Sequence, residues 1–262
     1  GVNCERETAA AARAAGIEAD LFRWNEDPAL LAEAAAVILP GGFSYQDRIR
    51  AGVVAAKDRI MDALSELAVA GRPILGICNG AQVLVEAGFI PGIHWERVDL
   101  ALAPNVMADR EGYFCTWTHL RCEESPCLWT APFAAGEIVP VPIAHAEGRF
   151  TTDDEGVLEE LRANGQIVLR YCTPGGAVDP AFPVNPNGSL ENMAGVCNPG
   201  GNVLAMMPHP ERAAWLRQVP EDLAGPWGRR RAAAAGRFGS MEEAGPGRRF
   251  FEAPGARKGG AR

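Results

Sequence analysis

The residue best placed for chemistry is a cysteine that stands between two glycines. An apolar segment ends at Gly76, Cys78 follows, and Gly80 completes the pattern Gly-x-Cys-x-Gly. The equivalent pattern with serine forms a nucleophile elbow, a tight strand-to-helix turn that holds the nucleophile at the edge of a sheet. A helix that begins after Cys78 would favour the thiolate through its dipole. Because free cysteines are often small buried hydrophobic residues, the pattern alone leaves a catalytic and a structural cysteine equally open.

A thiol nucleophile needs a general base, and the base needs a group that orients it. The sequence has four histidines, which are His94, His119, His145 and His209. His209 follows an apolar segment, and Glu211 stands two residues further on. In extended backbone residues i and i+2 point to the same side, and Pro210 between them restricts φ. The pattern therefore predicts that Glu211 orients His209; the alternative is a surface pair without a catalytic partner.

Acyl chemistry also needs hydrogen-bond donors for the oxyanion. The residue after the nucleophile, Asn79, offers its backbone N–H at the elbow. A second donor is predicted at Gly42, in the Pro-Gly-Gly-Phe turn that follows another apolar segment. The alternative for this turn is a flexible loop that happens to be rich in glycine.

Apolar segments alternate with helical patterns along the chain, which predicts an α/β fold with three layers and a largely parallel, doubly wound sheet. Strands are predicted at 17–24, 36–39, 166–171 and 201–207 and in the apolar segment that ends at Gly76, and helices at 3–16 and 49–70. Shorter apolar runs over residues 97–150 predict a few antiparallel strands. A strand is expected before the first helix in such an alternation, so the first strand of the sheet is expected to be missing.

Composition narrows the class of protein. The chain has 262 residues, 47% of them hydrophobic, a formal net charge of −8 and seven cysteines. The acidic balance argues against nucleic acid as the main partner, and no apolar run reaches membrane-spanning length. An odd number of cysteines without framework spacing, and no export signal, predict free thiols and a cytoplasmic location. Residues 1–227 are predicted to form one domain, and 228–262 a low-complexity, disordered tail.

Several short stretches of the sequence together resemble the class I glutamine amidotransferases. More narrowly, they resemble the glutaminase subunits of phosphoribosylformylglycinamidine synthases. The resemblance runs from residue 1 to about residue 227. The stretches that carry it are 76–82, 40–45 and 208–212 for the class, and 3–8, 47–52, 145–150 and 185–189 with Met206 and Met207 for the narrower family.

The resemblance implies a triad of Cys78 as nucleophile, His209 as base and acid, and Glu211 as orienting group. It implies an oxyanion hole at Gly42 and Asn79, and Gln82 as a contact of bound glutamine. Ammonia would pass to a large synthetase subunit, often through a complex with a small bridging subunit. That synthetase would hold ATP and Mg²⁺, so no cofactor and no metal are expected in this chain.

Several alternatives stay open at this level. The chain could be a non-catalytic regulatory or scaffold subunit, or a glutaminase that serves another synthetase. The group Cys115, His119, Cys122 and Cys127 has no familiar zinc spacing, which favours structural roles. His145 and Glu147 are assigned either to the partner interface or ammonia exit, or to structural packing. Ala146 stands where the family usually has glycine, which puts a close backbone approach to His145 in doubt.

Overall fold

The computed structural model describes residues 2–237 and 239–253. Within them the α-helices are α1 Glu5–Ala14, α2 Ile60–Val69, α3 Asn79–Glu86, α4 Glu155–Ala163 and α5 Pro226–Ala234. The strands are β1 Val37–Leu39, β2 Ile74–Ile77, β3 Ala101–Pro104, β4 Phe114–Cys122, β5 Ile138–His145, β6 Glu147–Thr151, β7 Ile167–Cys172, β8 Met193–Cys197 and β9 Val203–Met206.

Seven of these strands form one sheet in the order β1-β2-β9-β8-β7-β4-β5, and β3 pairs with β6 in a second, two-stranded sheet. Strands β2, β8 and β9 are buried along their whole length, so the centre of the large sheet lies inside the core. The prediction of an α/β fold is confirmed.

The prediction of a largely parallel sheet is wrong, because the sheet is mixed. Only β1–β2 and β2–β9 pair in parallel among its described strands; the other four pairs are antiparallel. Parallel neighbours need a long crossover connection, whereas residues 198–202 alone join β8 to β9. The antiparallel strands predicted within residues 97–150 are confirmed by β3 and β6 and by β4 and β5.

Two predicted elements differ from the structure. Residues 17–24 alternate in polarity as a strand would, but they pair with no strand among the described residues and form no regular structure. The predicted helix over 49–70 contains only α2 and a short 3-10 turn at Ala55–Lys57. Positive φ angles at Ile49 and Gly52 prevent a continuous helix before that turn.

The predicted disordered tail is also wrong for residues 228–237 and 239–253. Helix α5 starts at Pro226, and a 3-10 turn at Arg248–Phe251 follows. Phe250 and Phe251 are 0% and 1% exposed, and the ring centroids of Phe250 and Phe133 lie 4.5 Å apart. Two adjacent aromatic residues thus supply the apolar burial that the composition of the segment concealed. The rest of the predicted tail, residues 254–262, lies outside the described residues.

Candidate active site

The cysteine elbow forms where the sequence predicts it. Cys78 joins β2 to α3 with φ 50° and ψ −104°, a conformation that non-glycine residues rarely adopt. A Cβ on Gly76 would lie 2.6 Å from the Gly80 carbonyl oxygen, and a Cβ on Gly80 would lie 2.0 Å from the Leu39 carbonyl oxygen. Both positions therefore need glycine, because the backbone turns too tightly for a side chain. The Cys78 side chain lines a cavity, and its backbone N–H donates to the Met206 carbonyl oxygen at 2.8 Å.

The predicted base and its orienting group meet beside this thiol. His209 follows β9, and its Nδ1 lies 2.6 Å from Oε1 of Glu211. The two residues are 1% and 0% exposed. Burial acts to lower the pKa of His209, but the carboxylate of Glu211 and the neighbouring Cys78 outweigh it, so that the pKa is raised well above its ordinary value. This arrangement suits a base that accepts a proton from Cys78 and holds it as an imidazolium.

The two predicted oxyanion donors are tied to the elbow through one side chain. Asn79 occupies the first position of α3, where the backbone N–H has no acceptor within the helix. Its side-chain Oδ1 accepts a hydrogen bond from the Ser44 N–H at 2.9 Å, and this fixes the turn that carries Gly42. Gly42 lines the same cavity as Cys78. The structure thus brings the nucleophile and the Gly42 turn to one place.

A model of the CobB/CobQ-like glutamine amidotransferase domain matches residues 1–232. The chain belongs to this glutamine amidotransferase family. The subunit PurQ of phosphoribosylformylglycinamidine synthase from Methanothrix thermoacetophila is 51% identical over 227 residues, covering 84% of this chain and 86% of the relative. PurQ from Pyrococcus furiosus is 44% identical over 222 residues, covering 85% and 89%.

A solved structure supports the same assignment. The chain resembles a chain in the structure of PurLQS from Thermotoga maritima with a TM-score of 0.69 and 30% identity, covering 98% of this chain and 93% of that one. The mixed seven-stranded sheet is therefore the fold of a known glutamine amidotransferase.

None of the helices in residues 2–237 and 239–253 has the length and apolar character needed to span a membrane.

In this amidotransferase the side chain of Gln82 also lines the cavity. Its Nε2 donates to the Glu147 carbonyl oxygen at 2.6 Å, and its Oε1 accepts from Nδ2 of Asn79 at 2.9 Å. Both ends of the amide are therefore engaged, and Gln82 ties β6 to the elbow. Its predicted contact with glutamine stays a prediction.

One residue near the triad escaped the sequence analysis. The Cys4 sulfur, a ring nitrogen of His209 and a carboxylate oxygen of Glu211 all lie within 4.8 Å of one another. Nη2 of Arg212 donates to the Cys4 sulfur at 3.2 Å. The stretch 3–8 carried part of the family resemblance, and this was the one available signal. Two ligands of a tetrahedral zinc stand roughly 3.3 Å apart, so the 2.6 Å between Nδ1 of His209 and Oε1 of Glu211 indicates a hydrogen bond rather than a metal site.

The four residues weighed as a zinc group do not assemble into one. Among the described residues the triple of Cys4, His209 and Glu211 alone has ligand atoms close enough to share an ion. Cys115 is exposed on β4, whereas Cys122 and Cys127 are buried. The ring of His119 lies 3.2 Å from the Ala224 carbonyl oxygen. These contacts agree with structural roles.

Proposed function

We propose that this chain is the glutaminase subunit of a phosphoribosylformylglycinamidine synthase. It hydrolyses L-glutamine to glutamate and ammonia, and the ammonia is used in de novo purine biosynthesis to convert formylglycinamide ribonucleotide to its amidine. The observation that carries the proposal is the buried His209–Glu211 pair beside the elbow thiol of Cys78. The PurQ subunits that the chain resembles supply the identity of the synthase.

The reaction follows from the roles of these residues. The sulfur of Cys78 attacks the carboxamide carbon while His209 takes the thiol proton, and the carbonyl electron pair moves to the oxygen. The N–H groups of Gly42 and Asn79 hold that oxyanion. The C–N bond then breaks, and its electron pair stays on nitrogen, which takes the proton from His209 and leaves as ammonia. Water, deprotonated by His209, hydrolyses the thioester and releases glutamate.

The cavity wall is acidic, which suits the α-ammonium group of an amino-acid substrate. Asp47 and Glu147 both line it. Burial, followed by repulsion from Glu147, raises the pKa of Asp47, so a cation placed between these carboxylates would relieve their repulsion. We assign the binding of the glutamine ammonium group to this pair, with Gln82 holding Glu147 in place.

The partners of the chain follow from the same assignment. The Thermotoga maritima structure is that of PurLQS, and the corresponding partners here are a large synthetase subunit and a small bridging subunit. ATP and Mg²⁺ would be bound by the synthetase, which consumes the ammonia, and the reaction belongs in the cytoplasm. No cofactor is assigned to this chain.

The proposal is tested in the reconstituted complex with the variant Cys78→Ala. Glutamine-dependent synthesis of the amidine should disappear, while synthesis from added ammonia should continue at the wild-type rate, because only the glutaminase step needs the thiol. Cys115→Ala, which removes an exposed cysteine from β4, is the matched control and should leave both activities unchanged. Loss of both activities in Cys78→Ala would contradict the proposed division between the subunits.

A further inference from the structure

A second histidine lies at the cavity that Cys78 lines. His145 ends β5, is 3% exposed and lines the cavity together with Cys78. Ala144 precedes His145, and its carbonyl oxygen lies 3.7 Å from the sulfur of Cys78. His145 is therefore close to the reacting atoms, although the triad does not use it.

The neighbours of His145 determine which ring nitrogen carries the proton. Its Nδ1 lies 3.1 Å from Oδ1 of Asn105. The orientation of the Asn105 amide is fixed, because Nδ2 donates to the carbonyl oxygens of His145 and Gly112 at 2.8 and 3.1 Å, and Oδ1 accepts from the Gly148 N–H at 3.2 Å. Since Oδ1 can only accept, Nδ1 of His145 must be the donor. Nε2 of the neutral ring is then an acceptor.

This acceptor has no partner among the described residues of the protein. Nε2 of His145 is buried and makes no hydrogen bond there. Burial, together with repulsion from the nearby His209, lowers the pKa of His145 to about 3, so the ring is neutral near neutral pH. The ring also packs closely on the backbone of Gly148, where an added Cβ would lie 2.2 Å from its Cε1. A buried unsatisfied acceptor is costly, which points to a donor that arrives with the substrate.

We propose that Nε2 of His145 accepts a hydrogen bond from the nitrogen that leaves glutamine, first as the carboxamide –NH₂ and then as ammonia. The inference rests on the proposed glutaminase function. The carboxamide oxygen is served by the Gly42 and Asn79 amides, whereas the –NH₂ group has two donors that need acceptors. A neutral imidazole accepts one of them without giving a proton to the ammonia, so the product stays in its nucleophilic form. His145 is then a further catalytic residue of the reaction.

The test compares two substrates that differ in their leaving group. In the complete complex, His145→Phe keeps the ring and removes the acceptor. We expect kcat/KM for glutamine to fall roughly tenfold, the effect of one lost hydrogen bond. The value for γ-glutamyl methyl ester, whose leaving oxygen carries no N–H, should change less than about twofold. His145→Gln, which restores an acceptor, should recover much of the loss for glutamine.

Equal losses for the two substrates, or none for glutamine, would overturn the inference, because a packing defect does not distinguish amide from ester. Cys78→Ala is measured beside it: if that variant still hydrolyses glutamine, the proposed function itself fails. If His145→Phe does not assemble, Asn105→Ala provides the test, since it frees Nδ1 and allows the proton to move to Nε2. It should show the same selective loss for glutamine in smaller degree, and an unselective loss would count against the inference.

Discussion

Two His-x-Glu sequences lie near Cys78, and the structure uses them in opposite ways. In the first, Glu211 binds Nδ1 of His209 at 2.6 Å, and the pKa of His209 is raised. In the second, Glu147 turns away and its Oε2 accepts from the Ala51 N–H at 3.2 Å. The amide of Asn105 takes its place at His145, and burial together with repulsion from His209 lowers the pKa of His145 to about 3. A carboxylate on Nδ1 thus raises the pKa of one buried histidine, whereas the other has a neutral amide there and its pKa stays low.

The two rings also influence each other. Burial lowers the pKa of His145, and repulsion from His209 lowers it further, because two imidazolium ions at one dry site would repel. With Glu211 on one side only, the proton is directed to His209 and kept off His145. The same type of side chain thus supplies both the proposed base and the proposed acceptor.

The largest effect is expected from removing the carboxylate of this pair. Glu211→Gln should lower kcat for glutamine by about a thousandfold, because a neutral amide neither stabilises the imidazolium nor holds the required tautomer. Steady-state kinetics in the complete complex measure this effect. Glu242→Gln, which changes an exposed carboxylate paired with Arg217, is the control and should keep wild-type kinetics.

The same variant should alter the pH dependence of stability. Because the pKa of folded His209 lies well above the ordinary 6.5, its proton stabilises the fold fully below pH about 6.5, and this contribution is lost as the pH rises through the raised pKa. Glu211→Gln should remove this fall, which urea unfolding at several pH values would detect. An unchanged pH dependence would show that Glu211 does not set the pKa of His209.

A smaller effect is expected from making the second site resemble the first. Asn105→Asp places a carboxylate at Nδ1 of His145, and the pKa of His145 should rise by about 2 units, since a close opposite charge favours the protonated ring. NMR titration of the imidazole protons measures the change. Asn164→Asp, at the end of α4, should leave the pKa of His145 where it is. If Asn105→Asp also leaves it there, burial and repulsion from His209 suffice to keep the ring neutral.

The smallest effect is expected at the glycine that packs on His145. Gly148→Ala should reduce the free energy of unfolding by about 2 kcal/mol, because the new Cβ would lie 2.2 Å from the ring and the ring must move. Urea unfolding measures the loss. Gly175→Ala is the matched control, since the nearest atom to its Cβ is 3.8 Å away, and its effect should stay within about 0.5 kcal/mol. Equal effects at the two positions would mean that the His145 ring is not confined by Gly148.

The close approach to His145 illustrates how far the sequence could lead. Ala146 in place of the usual family glycine put that approach in doubt, yet the contact is made by Gly148, whose N–H also binds Oδ1 of Asn105. Asn105 stands 40 residues from His145, so no local pattern could connect them. Cys4 was missed beside His209 for the same reason, since the two are distant in the chain.

The sequence by itself determined the elbow, the short-range pair of His209 and Glu211, and the α/β class, because glycine pattern, i,i+2 spacing and apolar periodicity are local properties. Only the tertiary structure decided that the sheet is mixed, that the segment around Phe250 is buried, and that one His-x-Glu forms a buried pair while the other is divided. These outcomes depend on which distant strand or side chain fills a buried space, and packing rather than spacing selects that neighbour.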